Sequence, residues 1–242
     1  MPLTILYIVF KIIEPAMTTG SEGFFMNHAF VQMFHFFCIA HIPCLVTGVM
    51  WWVDLAWPLG LMVISAYNYT QVVPAKERAS YKAEMITFCY FFQGFRMGMG
   101  AIYLIAIKKW RTDTEIQRYV YQKKRYEEEN PGSKWTMLHT QKEIFMQAYA
   151  NFAVLVIPGA LICNDQNPLN PVEILGFAMW ILSYVCESVA DKQKLEFLVA
   201  KAKAKERNVV CNVGLWKYSR HPNYFGEWMV WNSLIVMTIP SI

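Results

Sequence analysis

"FVQMFHFFCIAHIPCLVTGVM", residues 30–50, runs for 21 residues without an aspartate, glutamate, lysine or arginine. A bilayer's hydrocarbon core needs around 20 mostly apolar helical residues to cross it, so the stretch reads as a transmembrane helix. Five more apolar runs follow, at 56–72, 84–107, 145–163, 172–190 and 224–240. Together they predict an all-α, polytopic membrane helix bundle of about six spans, in which residues 1–242 form one integral membrane domain. The composition agrees: 55% of the residues are hydrophobic and 17% charged, against roughly 45–50% and 25% in soluble proteins. No repeat, low-complexity block or heptad run interrupts this pattern.

Charge sets the expected orientation. With a non-cytosolic N-terminus, loops 108–144 and 191–223 share the cytosolic face and hold 17 of the 22 lysines and arginines, as the positive-inside rule requires. Lys11, Lys76, Arg78 and Lys82 fall on the far face, and Arg96 lies within a span. Basic clusters in a soluble chain would suggest nucleic acid; membrane topology explains them here, and no nucleic-acid partner is expected. The six cysteines form no C-x-x-C pair, so neither a disulfide framework nor a metal site is predicted. The opening "MPLTILYIVFKIIEPAM" lacks a basic n-region and a small-residue cleavage site. It therefore reads as a short membrane-dipping helix rather than a removable signal peptide.

Polar residues inside or at the ends of spans carry the functional question, because charge in the bilayer is costly. Arg96 sits among Gly94, Gly98 and Gly100, small residues that let another helix approach. It either pairs with a carboxylate on a second helix, Asp54 or Glu187, or meets an anionic ligand. Glu187 and Asp191 are four residues apart with Lys194 a turn beyond, on one helical face. They form an interfacial salt-bridge set or a pair bridged by a donor such as ribose hydroxyls, a carboxamide or Arg220.

The richest run is "GLWKYSRHPNYFGEWMVW", residues 214–231. Pro222 fits the first turn of a helix, which puts Arg220 and His221 at its start, where unpaired N–H groups favour an anion such as pyrophosphate. Asn223 and Glu227, four apart, share a face one turn deeper and suit a carboxamide or a sugar. Tyr218, Ser219 and Tyr224 complete the set. Trp216, Trp228 and Trp231 need no ligand, since aromatic belts anchor spans.

Gly214 through Glu227 closely resembles the signature of an uncharacterised membrane family related to steroid 5-alpha-reductases. "VDLAW" at 53–57, "FRMG" at 95–98 and "ESVADKQKLEF" at 187–197 add to the resemblance, which covers about residues 50–242. It implies an NADPH pocket lined by Asp191, Tyr218, Asn223, Gly226 and Glu227, to which the reading of the residues adds Arg96, Glu187, Lys194, Ser219, Arg220, His221 and Tyr224 as cofactor-binding candidates. It also implies NADPH-dependent reduction of a carbon–carbon double bond in a lipid or steroid-like enone, with no metal. Asp54, Tyr67 and Tyr69 are the candidates for engaging the enone oxygen. The partners expected are a lipophilic substrate and membrane lipid, in the endoplasmic reticulum or another internal membrane, with the cofactor face cytosolic. Members of the reductase family continue through a further span and a basic, aromatic tail, whereas this sequence stops at Ile242. Two other readings stay open: an S-adenosylmethionine-dependent membrane methyltransferase of the isoprenylcysteine or phospholipid type, which uses a similar Arg-His-Pro-x-Tyr turn, and a non-catalytic membrane homologue.

Overall fold

The computed structural model describes residues 21–72, 81–153, 155–165, 167–206 and 209–242. The readings made of the first 20 residues, and of Lys76 and Arg78, lie outside them. Among the described residues the regular elements are helical, and the chain gathers into two compact units, Met1–Asp165 and Gln166–Ile242.

The first unit opens with α1 (Ser21–Phe36), which passes through a π-helical turn, Phe37–His41, into α2 (Ile42–Thr47). Pro43 has no N–H to continue the ladder. The helix widens just before it, and the Ile42 N–H donates to the Phe37 carbonyl, five residues back. Next come α3 (Trp52–Tyr67), α4 (Tyr81–Ala106), α5 (Gln117–Glu129), α6 (Ser133–Ala153) and α7 (Val156–Asn164). Phe36, Cys44, Met50, Trp51, Ile144 and Ala148 are buried in one core. Polar side chains stitch the helices within it: Gln32 Nε2 donates to Gly60 O at 2.9 Å and Trp57 Nε1 to Gln147 Oε1 at 2.9 Å. On α4, Gly94 lies against α3 so closely that a Cβ there would stand 2.5 Å from Pro58 O.

Ion pairs close the two ends of this unit. At one end Glu115 Oε2 accepts from Met50 N and Lys123 Nζ, both at 2.6 Å. Trp51 Nε1 donates to Arg111 O at 2.9 Å, and Lys123 also donates to Gly48 O. At the other end Lys82 Nζ meets Asp165 Oδ2 at 2.6 Å, with both side chains almost fully buried (3% and 6% exposed).

The second unit is a helical hairpin of α8 (Pro171–Lys203) and α9 (Pro222–Thr238), joined through a 3-10 turn at Gly214–Lys217. Asn170 caps α8: its side chain accepts from Val172 N at 2.9 Å while Glu173 Oε2 accepts from Asn170 N at 2.7 Å. This reciprocal box satisfies two otherwise orphaned donors. With 33 residues, α8 is about 50 Å long and extends well past the apolar run at 172–190, through a Lys/Ala-rich stretch of good helix formers.

Among the described residues, three helices are long and apolar enough to cross a membrane: His28–Thr47, Lys134–Cys163 and Pro171–Lys203. Helices also occupy the other three predicted spans, with differences that explain the shortfall. α9 has 17 residues, about 26 Å, and α3 with the π-helical turn that follows it carries Asp54, Pro58, Asn68 and Thr70, which dilute its apolar character. α4 is long enough, but Lys82, Glu84, Gln93 and Arg96 dilute its apolar surface.

Candidate functional site

The second unit assembles the signature run against α8. Gly214 adopts φ +52°, and any Cβ there would strike the Gln193 side chain at 2.3 Å. Gln193 Oε1 instead accepts from Leu215 N at 2.9 Å, and Trp216 Nε1 donates to Ala190 O at 2.8 Å. The Lys194 ammonium lies 4.3 Å from the centre of the Trp216 ring, a cation–π geometry. These contacts pin the turn before α9 to the part of α8 that carries the carboxylates.

One turn further on, α9 meets α8 almost backbone to backbone. A Cβ at Gly226 would stand 2.8 Å from both the N and the Cβ of Glu187, so only glycine fits this crossing. Asn223 Nδ2 donates to Asp191 Oδ1 at 3.1 Å. A carboxamide of the chain itself thus donates to Asp191. Asn223 Oδ1 is enclosed and has no hydrogen-bond partner.

Pro222 occupies the first turn of α9 and His221 the N-cap position, with no side-chain capping bond. The helix start therefore keeps N–H groups for an external acceptor. Ser219 Oγ accepts from His221 N at 3.2 Å, and the His221 ring stacks on Tyr224 with centroids 5.1 Å apart and an interplanar angle of 7°. Tyr218, at 89% exposure, and Ser219, Arg220, His221 and Tyr224 all lie on the surface of this unit. Glu187 is buried, and Glu227, four residues after Asn223, is half-buried.

This unit therefore brings together Glu187, Asp191, Lys194, Asn223 and Glu227, with Tyr218 through His221 beside them. Residues 40–242 match the family described as "Protein of unknown function (DUF1295)". The chain belongs to the DUF1295 family. No curated protein and no solved structure matches it.

The DUF1295 match also spans the remaining candidates, which sit in the first unit. Asp54, in the first turn of α3, accepts from the Tyr119 hydroxyl at 2.7 Å and pairs with Arg118. Its partner is this pair, rather than the Arg96 considered from sequence. Burial pushes the Asp54 carboxyl up, while Arg118 and the Tyr119 hydroxyl pull it down; burial and the neighbouring carboxylate push the Tyr119 phenol up. Tyr67 lies 13 residues along α3, about 20 Å from Asp54, with its ring edge on His28 at 5.0 Å. Tyr69 follows in the π-helical turn Asn68–Val72. The three side chains proposed to engage the enone oxygen thus divide between opposite ends of one helix. Arg96 lies on α4, two residues past Gly94.

Gln193 is the structural residue of the second unit that the motif reading passed over, although the quoted "ESVADKQKLEF" contains it. Arg118 and Tyr119 gave no comparable signal, being 64 and 65 positions from Asp54 in an ordinary polar loop.

Proposed function

We propose that this DUF1295 chain is a membrane-embedded, NADPH-dependent reductase of a carbon–carbon double bond in a lipid or steroid-like enone. The observation that carries the reading is the Asn223 carboxamide at the α8–α9 crossing. Its Nδ2 is bound to Asp191 and its Oδ1 has no donor from the chain, an acceptor left for a ligand amide or hydroxyl once the carboxamide turns toward the surface. The uncapped start of α9 and the exposed Arg220 supply the anion-binding groups that a pyrophosphate needs. NADPH, when bound, supplies the hydride.

The chain's own residues then have separable tasks. Arg220 and His221 hold the phosphates at the helix start. Asn223 and Glu227 receive the amide or sugar end, and Asp191, with Lys194 a turn beyond, orients Asn223. Gly226 allows α9 to stand close enough to Glu187 for these groups to converge. Asp54 is engaged at both carboxylate oxygens, by Tyr119 and Arg118.

The six-span path with both basic loops in the cytosol belongs to the same proposal, and the resemblance to steroid 5-alpha-reductases supports the chemistry. Two groups of contacts within the first unit support the path. The 50–54 corner is tied to loop 111–118, and Lys82 is tied to Asp165. Each group joins segments that the path puts on the same face.

Thermal unfolding in detergent tests the cofactor. NADPH raises the midpoint and S-adenosylmethionine does not, because a ligand that binds the native state stabilises it; the reverse result identifies a methyltransferase. Arg220→Ala weakens NADPH binding by about 1–3 kcal/mol, the loss of a charge-assisted hydrogen bond. An unchanged affinity removes Arg220 from the site. Incubation of a lipid extract with NADPH and the protein, followed by mass spectrometry, then identifies the species that gains two hydrogens.

A further inference from the structure

We propose that the first unit carries a separate binding site for the headgroup of a zwitterionic phospholipid with a primary ammonium, set between the end of α2 and the α5–α6 hairpin. A cavity of about 240 Å³ lies there, lined by Gly48, Lys123, Glu127, Thr136, Met137 and Thr140. That volume falls below the roughly 300–1,000 Å³ of sites that enclose a drug-sized ligand, and it suits a headgroup whose chains remain outside.

The lining carries one charge of each sign, a helical turn apart on α5. Lys123 donates to Gly48 O and to Glu115. Glu127 accepts from Gly132 N at 2.8 Å and from Thr136 Oγ1 at 2.5 Å. These bonds fix both side chains and leave one ammonium hydrogen and about half of the carboxylate's acceptor sites for a ligand. The same two donors hold the Glu127 carboxyl below its usual range, so it is anionic at neutral pH. A ligand ammonium then meets Glu127 while its phosphodiester meets Lys123.

The pocket's surroundings favour a lipid over a free metabolite. Tryptophan at the surface marks headgroup depth in membrane proteins. On α6, Trp135 and Leu138 flank the lining residues and are 54% and 57% exposed, an apolar surface for acyl chains.

Native mass spectrometry of the full chain in detergent tests this, using phosphatidylethanolamine, phosphatidylcholine and phosphatidylglycerol with matched chains. Choline has no N–H to give Glu127, and glycerol carries no cation. Phosphatidylethanolamine is expected to be retained about tenfold more strongly than either, the scale of one charge-assisted hydrogen bond. Glu127→Gln should abolish that preference. Met137→Trp, which fills the pocket and keeps both charges, should abolish it too, with an unchanged melting temperature. Equal retention of the three lipids, or a preference that survives in either variant, overturns the proposal.

Discussion

Gly226 shows most directly how a single residue sets the candidate site. A methyl group there would press on backbone atoms of Glu187 at 2.8–2.9 Å, and backbone cannot swing aside as a side chain can. Gly226→Ala should lower stability by about 1–3 kcal/mol, the usual cost of overpacking, and weaken NADPH binding by moving Asn223. Gly98→Ala is the control: its new Cβ finds nothing nearer than 3.5 Å, so its midpoint should stay at the wild-type value in the same thermal scans. The sequence displayed Gly226 within a motif but not its reason, since Glu187 lies 39 positions earlier and the contact exists only once α8 and α9 are packed. By contrast, Pro222 at the first turn of α9 was legible because the effect of proline on a helix is local.

At the scale of elements, the ends of the helices carry the strongest polar ties. The Lys82–Asp165 pair is almost wholly buried, so removing one partner leaves an uncompensated charge. Lys82→Met should cost about 3–5 kcal/mol, whereas Lys82→Met with Asp165→Leu should recover most of the loss; denaturation of the three proteins side by side checks this. The α5–α6 hairpin should respond to acid. Hydrogen bonds from Thr136 Oγ1 and Gly132 N hold the Glu127 carboxyl below its ordinary value of 4.5. The stabilisation is thus complete above that value and lost as pH falls through the depressed one. Hydrogen exchange at the Gly132 amide, corrected for its intrinsic rate, should accelerate across that window and stay constant from pH 5 to 8. Apolar runs predicted where helices lie, because burial in lipid needs only a local count. They gave no indication that Asp54 binds Arg118 and Tyr119, because a long polar loop offers many equivalent partners until it folds back.

For the whole molecule, the central expectation is the alternating path that puts both basic loops in the cytosol. In sealed vesicles of known orientation, a cysteine at Lys205 should react with a membrane-impermeant maleimide from the cytosolic side, and one at Asn167 from the opposite side. Labelling of both from the same side would remove the path. α8 runs from Pro171 through Asp191 as one unbroken helix, so its first residue and that carboxylate are about 30 Å apart, one hydrocarbon thickness. A span that starts at Pro171 therefore brings the Asp191–Asn223 pair to the level of the lipid headgroups, where charged side chains keep their hydration.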